Sequence, residues 1–354
     1  MRRRRLGLVC AAAAVASEPD VGARLRASAA ASDGQTISVV DLHSHRLLLR
    51  GRVTLGAEYC CAAAWARDQP VFSGMAVMSA LAFLASAPRR ALCLGLGAGT
   101  VPEFLRARGI DTTVVEHEAA VVDLATTHFA FGERPAPGRT IVADAFAYIA
   151  NTTAATADPG HDVLLSDLFD GQTSAAAHAP AHFANLKRWL RPHGTLVLNL
   201  VAYSAGPHGA PVLGAAIAAL RDHFAHVRAF SDHAPDAARD ASVPHNVVVF
   251  ASDAADGVRF RPPAGGDAAA GTADHVYAHF ESWEIPLDPA GSRLGGDGGG
   301  ASAAPSGAAS GTEDALDAIA GAMAEEQRRI LPDGAWAAVA AQLAADDGNA
   351  RDEL

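Results

Sequence analysis

The chain has 354 residues, half of them hydrophobic, and a formal net charge of −11. That is enough apolar material for one full core with appendages. Its only lysine is Lys187, and an acidic chain without a lysine-rich patch argues against nucleic acid as a partner.

The N-terminus, "MRRRRLGLVCAAAAVASEPD", has a basic start, an apolar run over residues 6–16, and Ala14-Val15-Ala16 as a small-residue cleavage site. That is the layout of a secretory signal peptide over residues 1–16. The run is too short and too rich in alanine to be a stable membrane span. An organelle transit peptide is the alternative, or a chain that stays in the cytoplasm. The C-terminus, "ARDEL", resembles the tetrapeptides that retain proteins in the ER lumen, so the two ends together predict that compartment. Cysteine is nearly silent: Cys10 would leave with the leader, Cys60 and Cys61 are adjacent, and Cys93 falls inside an apolar strand. No metal-ligand spacing is evident, and no metal is expected.

Residues 17–88 form an N-terminal region. Within it, 36–55 ("TISVVDLHSHRLLLRGRVTL") reads as two strands around a His/Ser turn, and 74–86 as an apolar helix ending before Pro88. Over residues 89–255 strands alternate with helices, and the strands are almost continuously apolar. That pattern predicts a parallel sheet covered on both faces. The last two strands, 226–230 and 245–252, have no convincing helix between them and predict an antiparallel edge pair. Five parallel strands plus a terminal hairpin describe the methyltransferase variant of the Rossmann sheet. Residues 256–311 read as an irregular linker, including "GSRLGGDGGGASAAPSGAASG". Residues 312–354 read as a helical tail, with Ser310 and Glu313 as a capping box and Leu316, Ile319, Ala320 and Met323 on one face. Whether it docks on a partner or on the domain itself is left open.

"ALCLGLGAGTVPEFL" (91–105) is a strand entering a glycine loop and then a helix, the layout of a nucleotide cradle. The dinucleotide fingerprint puts glycine at offsets 0, 2 and 5. Gly95, Gly97 and Gly99 fall at offsets 0, 2 and 4, which makes NAD a distant third reading, and the absence of Gly-Lys-Ser/Thr excludes a P-loop. Glu116 ends the second strand, where a carboxylate takes ribose hydroxyls. Asp144 with Ala145 puts an acid and a small residue at the end of the third, where S-adenosylmethionine (SAM) enzymes bind the adenine amine. Asp167 ends the fourth, with Asp170 three residues on, both at a rim where acids hold an amine and take its proton.

In order and spacing, "LCLGLGAGTVPEFL", "VVEHEAAVVDLATTHFAF", "ADAFAYI", "DVLLSDLFDG" and "FANLKRWLRPHGTLVLNL" resemble the spermidine-synthase-like superfamily, and within it the eukaryotic spermidine-synthase-like methyltransferases. The resemblance implies an α/β fold, with a seven-stranded Rossmann sheet of SAM-methyltransferase type and a small N-terminal β-hairpin region; the sequence beyond it adds a flexible C-terminal tail. It implies SAM or decarboxylated SAM as cofactor, with Gly95, Gly97, Gly99, Glu116, Asp144 and Ala145 as contacts. Asp167 and Asp170 fall on the Asp-X-X-Asp pair that binds and deprotonates the acceptor amine in aminopropyltransferases; here Asp167 is the expected catalytic residue and Asp170 a substrate contact. Two departures stand out. Ala98 replaces an aspartate of the glycine loop, and Phe72-Ser73-Gly74-Met75 replaces a Tyr-X-Glu-Met segment. They favour methyl transfer to a small-molecule or protein acceptor over aminopropyl transfer. The alternatives are a spermidine synthase and a non-catalytic nucleotide-binding relative. A homodimer is the expected assembly.

Overall fold

The computed structural model describes residues 22–60, 69–133, 138–151, 160–168, 180–205, 210–262, 272–287, 324–325, 328–330 and 332–352. The signal sequence, the capping box and the face from Leu316 to Met323 lie outside these residues.

The N-terminal region is a four-stranded antiparallel meander of β1 (Arg24–Ala30), β2 (Thr36–Leu42), β3 (His45–Arg50) and β4 (Val53–Tyr59) in that spatial order. The expected hairpin thus gains two strands. Gly51 adopts φ 55° and turns the chain between Arg50 and Arg52, splitting what reads as one strand. β1 was hidden because it is an edge strand with alternate residues exposed and little apolar signal. In β2 and β3 successive side chains serve opposite cores. Ile37, Val39 and Leu48 pack toward the main domain. Val40, Leu42, Leu47 and Leu49 pack outward, against Ala335 and Val339.

After α1 (Ser73–Ser79) come β5 (Arg90–Leu94), α2 (Thr100–Arg106), β6 (Asp111–Glu116), α3 (Ala119–His128), β7 (Thr140–Val142), α4 (Ala145–Asn151), β8 (His161–Ser166), α5 (Pro180–Lys187) and β9 (Leu190–Ala202). Then follow α6 (Ala215–Arg221), β10 (His226–Ser231), α7 (Ala237–Ser242), β11 (His245–Ser252), α8 (Thr272–His279) and α9 (Asp333–Asp352). The sheet runs β10-β11-β9-β8-β5-β6-β7. Its five strands from β9 to β7 are parallel. β11 is antiparallel to both β9 and β10. The terminal hairpin is therefore present, and its second strand inserts between the first and the rest of the sheet. A short α7, absent from the sequence reading, occupies its connection. Alternation along the strands builds both faces: Ala91, Cys93 and Val114 enter one core, and Leu92, Leu94 and Val115 the other.

The tail docks on this domain itself. α9 places Ala335, Val339 and Leu343 on one face, at helical spacing, against the outer side of the meander. Gln342 fastens it to the edge: its Oε1 accepts from the Leu25 amide at 2.8 Å, and its Nε2 donates to the Ala23 carbonyl at 3.2 Å. These bonds satisfy main-chain groups of the edge strand, which would otherwise be open to pairing.

Candidate functional site

A cavity of about 660 Å³ opens where the parallel strands end, the place where open α/β sheets bind ligands. Its walls combine Gly95, Leu96 and Gly97, Glu116, Asp144 and Ala145, Asp167, Asn199, and Asp232 with His245 and Asn246. The N-terminal region adds Leu55, Gly56, Phe72 and Met75, and the tail adds Ile330.

At the nucleotide end the loop leaves β5 through glycines that hold left-handed backbone, with φ 93° at Gly95 and 55° at Gly97. A Cβ on Gly95 would meet the Asp167 carbonyl oxygen at 2.3 Å, and one on Gly97 the Leu55 carbonyl oxygen at 2.3 Å. Both positions therefore require glycine on steric and conformational grounds. Gly99 does different work. It stands at the N-cap of α2 with φ 80°, a Cβ there would strike Phe131, and the residue is not part of the cavity wall.

Glu116 locks the loop in place. Its Oε2 accepts from the Leu96 amide at 2.9 Å and its Oε1 from the Glu118 amide at 3.0 Å, so the carboxylate is fixed at the rim with lone pairs remaining. Asp144 accepts from the Ala147 amide at 2.6 Å and caps α4, while Ala145 behind it is buried. The bare backbone cradle, a fixed carboxylate and a second acid beside a small residue fit the adenosyl moiety of SAM.

The acceptor end was only partly readable. Asp167 follows β8, and its amide donates to the Leu94 carbonyl at 3.0 Å, which sets it beside the glycine loop. Burial pushes its carboxyl above the ordinary aspartate range, against the hydrogen bond from Asn199. Asn199 Nδ2 donates to Asp167 Oδ1 at 2.9 Å and to Asn246 Oδ1 at 3.2 Å. Asn246 Nδ2 donates in turn to Asp232 Oδ2 at 3.1 Å. A polar chain thus crosses the ends of β8, β9, β11 and β10. At its far end burial works to raise the Asp232 carboxyl, but hydrogen bonds from His233 and Asn246 and the nearby His245 overrule it and hold it below the ordinary range. The two carboxyls in this cavity are thus shifted in opposite directions by their surroundings.

Asn199, Asp232 and Asn246 were missed. The two asparagines had one sequence signal, a lone amide within the apolar "LVLNLVA" and at the head of "HNVVVFAS", and Asp232 had none. Asp170 lies outside the described residues. The two departures from the synthase pattern acquire a steric meaning. Ala98 is buried and faces Gly56, where an added Cβ would come within 2.9 Å of the Ala98 Cβ, so small residues match across the contact. A Cβ on Gly74 would come within 2.9 Å of three atoms of the Asn246 side chain. Asn246 fills the space that a glutamate at 74 would need.

No protein-family model matches the chain. Over 116 residues it is 32% identical to the N-terminal histidine N-methyltransferase of Emericella nidulans, covering 32% of this chain and 20% of that protein. Over 156 residues it is 26% identical to the eEF1A lysine and N-terminal methyltransferase of Bos taurus, covering 42% and 22%. The chain thus spans about a fifth of the length of these curated relatives. Among solved structures it resembles a probable spermidine synthase from Corynebacterium glutamicum, with a TM-score of 0.54 and 20% identity over 69% of this chain and 85% of that one. The spermidine synthase from Thermotoga maritima gives 0.54 and 15% over 74% and 85%; both likenesses concern the fold. The chain shares its fold with spermidine synthases, and the relatives it resembles in sequence are methyltransferases.

Proposed function

We propose that the chain transfers a methyl group from SAM to an amine nitrogen, with the N-terminal amine of a protein as acceptor. One observation carries this reading. Asn199 Oδ1 is buried with no hydrogen-bond partner among the described residues, although its amide nitrogen is bonded to the Asp167 carboxylate. A buried acceptor without a partner costs roughly 1–3 kcal/mol, and an amine bearing N–H groups satisfies it while lying next to Asp167. The names of the two sequence relatives, which specify N-terminal and lysine nitrogens, support the same acceptor class.

When bound, SAM supplies a sulfonium-activated methyl group. The chain's own part is alignment and proton removal. Asp167 accepts a proton from the ammonium acceptor, and its raised proton affinity suits it to that exchange. Asn199 and Asn246 hold the carboxylate in one orientation. Alignment alone offers effective molarities of about 10⁵ M or more. Gly74 with Asn246 leaves no space for the glutamate expected in a polyamine site, so aminopropyl transfer is the lesser alternative.

Peptides with free and acetylated N-termini, incubated with SAM and read by mass spectrometry, test the proposal. A single methyl on the free α-amine alone is expected. Product only from putrescine and decarboxylated SAM would overturn it. The proposal extends to the ER lumen as compartment, supported by the basic-apolar leader and the RDEL ending; retention of the tagged full chain in that organelle is the check. No helix among the described residues is long and apolar enough to cross a membrane. A homodimer, carried by the family resemblance, is checked by light scattering.

A further inference from the structure

The cluster formed by His233, Asp240 and His245 is not used by any step above. His233 follows β10, Asp240 lies in α7 and His245 opens β11, so three separate elements converge. One ligand atom from each lies within 4.8 Å of the others, and the two imidazoles meet edge to face with centroids 4.3 Å apart. We propose that these three residues form a binding site for a divalent transition metal, zinc in the first instance.

Hydrogen bonds around the cluster hold its donors in place. A backbone carbonyl only accepts, so the 3.3 Å contact between His245 Nδ1 and the Val243 oxygen puts the proton on Nδ1 and leaves a lone pair on Nε2. That Nε2 is buried with no partner among the described residues, on a side chain only 4% exposed. His233 is held at both ring nitrogens: its Nδ1 pairs with Asp232 Oδ1 at 2.8 Å, and its Nε2 faces Asp240 Oδ1 at 2.6 Å. For His233, an outer carboxylate on one ring nitrogen with the other turned toward Asp240 is the arrangement that fixes histidine ligands in metal sites, while the His245 ring lies with its Nδ1 4.0 Å from Asp240 Oδ1. Two imidazoles and one carboxylate form a borderline-soft donor set that suits zinc, with a fourth position open. Binding would replace the proton between His233 Nε2 and Asp240 by the metal, releasing that proton to solvent.

The site would clamp residues 232–246, which give Asp232, Arg239, Val243, Pro244, His245 and Asn246 to the cavity wall. It stands or falls independently of the reaction proposed above. The test is titration of the metal-free full chain with Co²⁺, followed by visible absorption. One equivalent with the strong bands of a low-coordinate nitrogen–oxygen site is expected. Asp240→Asn and His245→Ala should abolish the bands, and Asp232→Asn should weaken binding about 10- to 100-fold. No uptake by the natural chain, or uptake with unchanged affinity in folded Asp240→Asn, would overturn the site. Should the variants not fold, crystals of the natural chain grown with Zn²⁺ and measured at the zinc edge decide it. An anomalous peak between His233 and His245 is expected, and its absence would refute the site.

Discussion

The nucleotide end of the cavity draws Gly95, Leu96, Gly97, Glu116, Asp144 and Ala145 from one run of consecutive strand–loop–helix units, whereas the acceptor end gathers Leu55, Phe72, Asp167, Asn199, Asp232 and Asn246 from across the chain. Backbone dominates the first: left-handed glycines, amides bonded to Glu116 and a capped helix. Side chains dominate the second, linked in a row from Asp167 to Asp232. The cradle fits a cofactor through its shape. On the proposed reading, the other wall would set acceptor specificity through side chains, which single substitutions can change without altering the fold.

The largest way to break this division is Asp167→Asn. If the two ends are separable, kcat falls about 10²- to 10⁴-fold while calorimetric affinity for SAM stays the same; a parallel loss of both would merge them. The pH profile sharpens the point. The folded value of Asp167 lies above its unfolded value, so between the two the folded state holds a proton that the unfolded state has released. Turnover should therefore rise with pH through that raised value. Stability should fall over the same window, since ionisation costs more in the folded chain. Asp167→Asn should accordingly raise the melting temperature at neutral pH. A lower melting temperature would mean the burial argument is wrong.

The converse variant is Gly97→Ala. The new Cβ meets the Leu55 carbonyl in a backbone conformation costing about 1–2 kcal/mol for a residue with a side chain, so SAM affinity should weaken about tenfold or more. Unchanged affinity would show that the cradle does not hold the cofactor. Smaller effects belong to the tail. Val339 is fully buried against the meander, and Val339→Ala should cost about 2 kcal/mol in denaturant unfolding with SAM affinity intact. Arg52 reaches Asp333 at 2.7 Å at the surface, and Arg52→Ala should cost under about 1 kcal/mol. A larger loss would mean that α9 undocks as a unit.

The sequence by itself determined the α/β alternation, the five parallel strands and the nucleotide end. Each of these depends on neighbours in the chain: near-continuous apolar runs, glycines two residues apart, an acid closing three of the strands. Only the tertiary structure decided what covers the outer face of the meander, since the cluster that unites Val40 and Leu47 with Val339 joins segments nearly three hundred residues apart and leaves no periodic trace. The same holds for the acceptor wall. Asn199 and Asn246 are single polar letters in apolar strands until β11 inserts beside β9 and brings their amides together. Spacing along the chain records local geometry, whereas hydrogen-bond partners across a sheet are fixed by strand order, which only the folded chain displays.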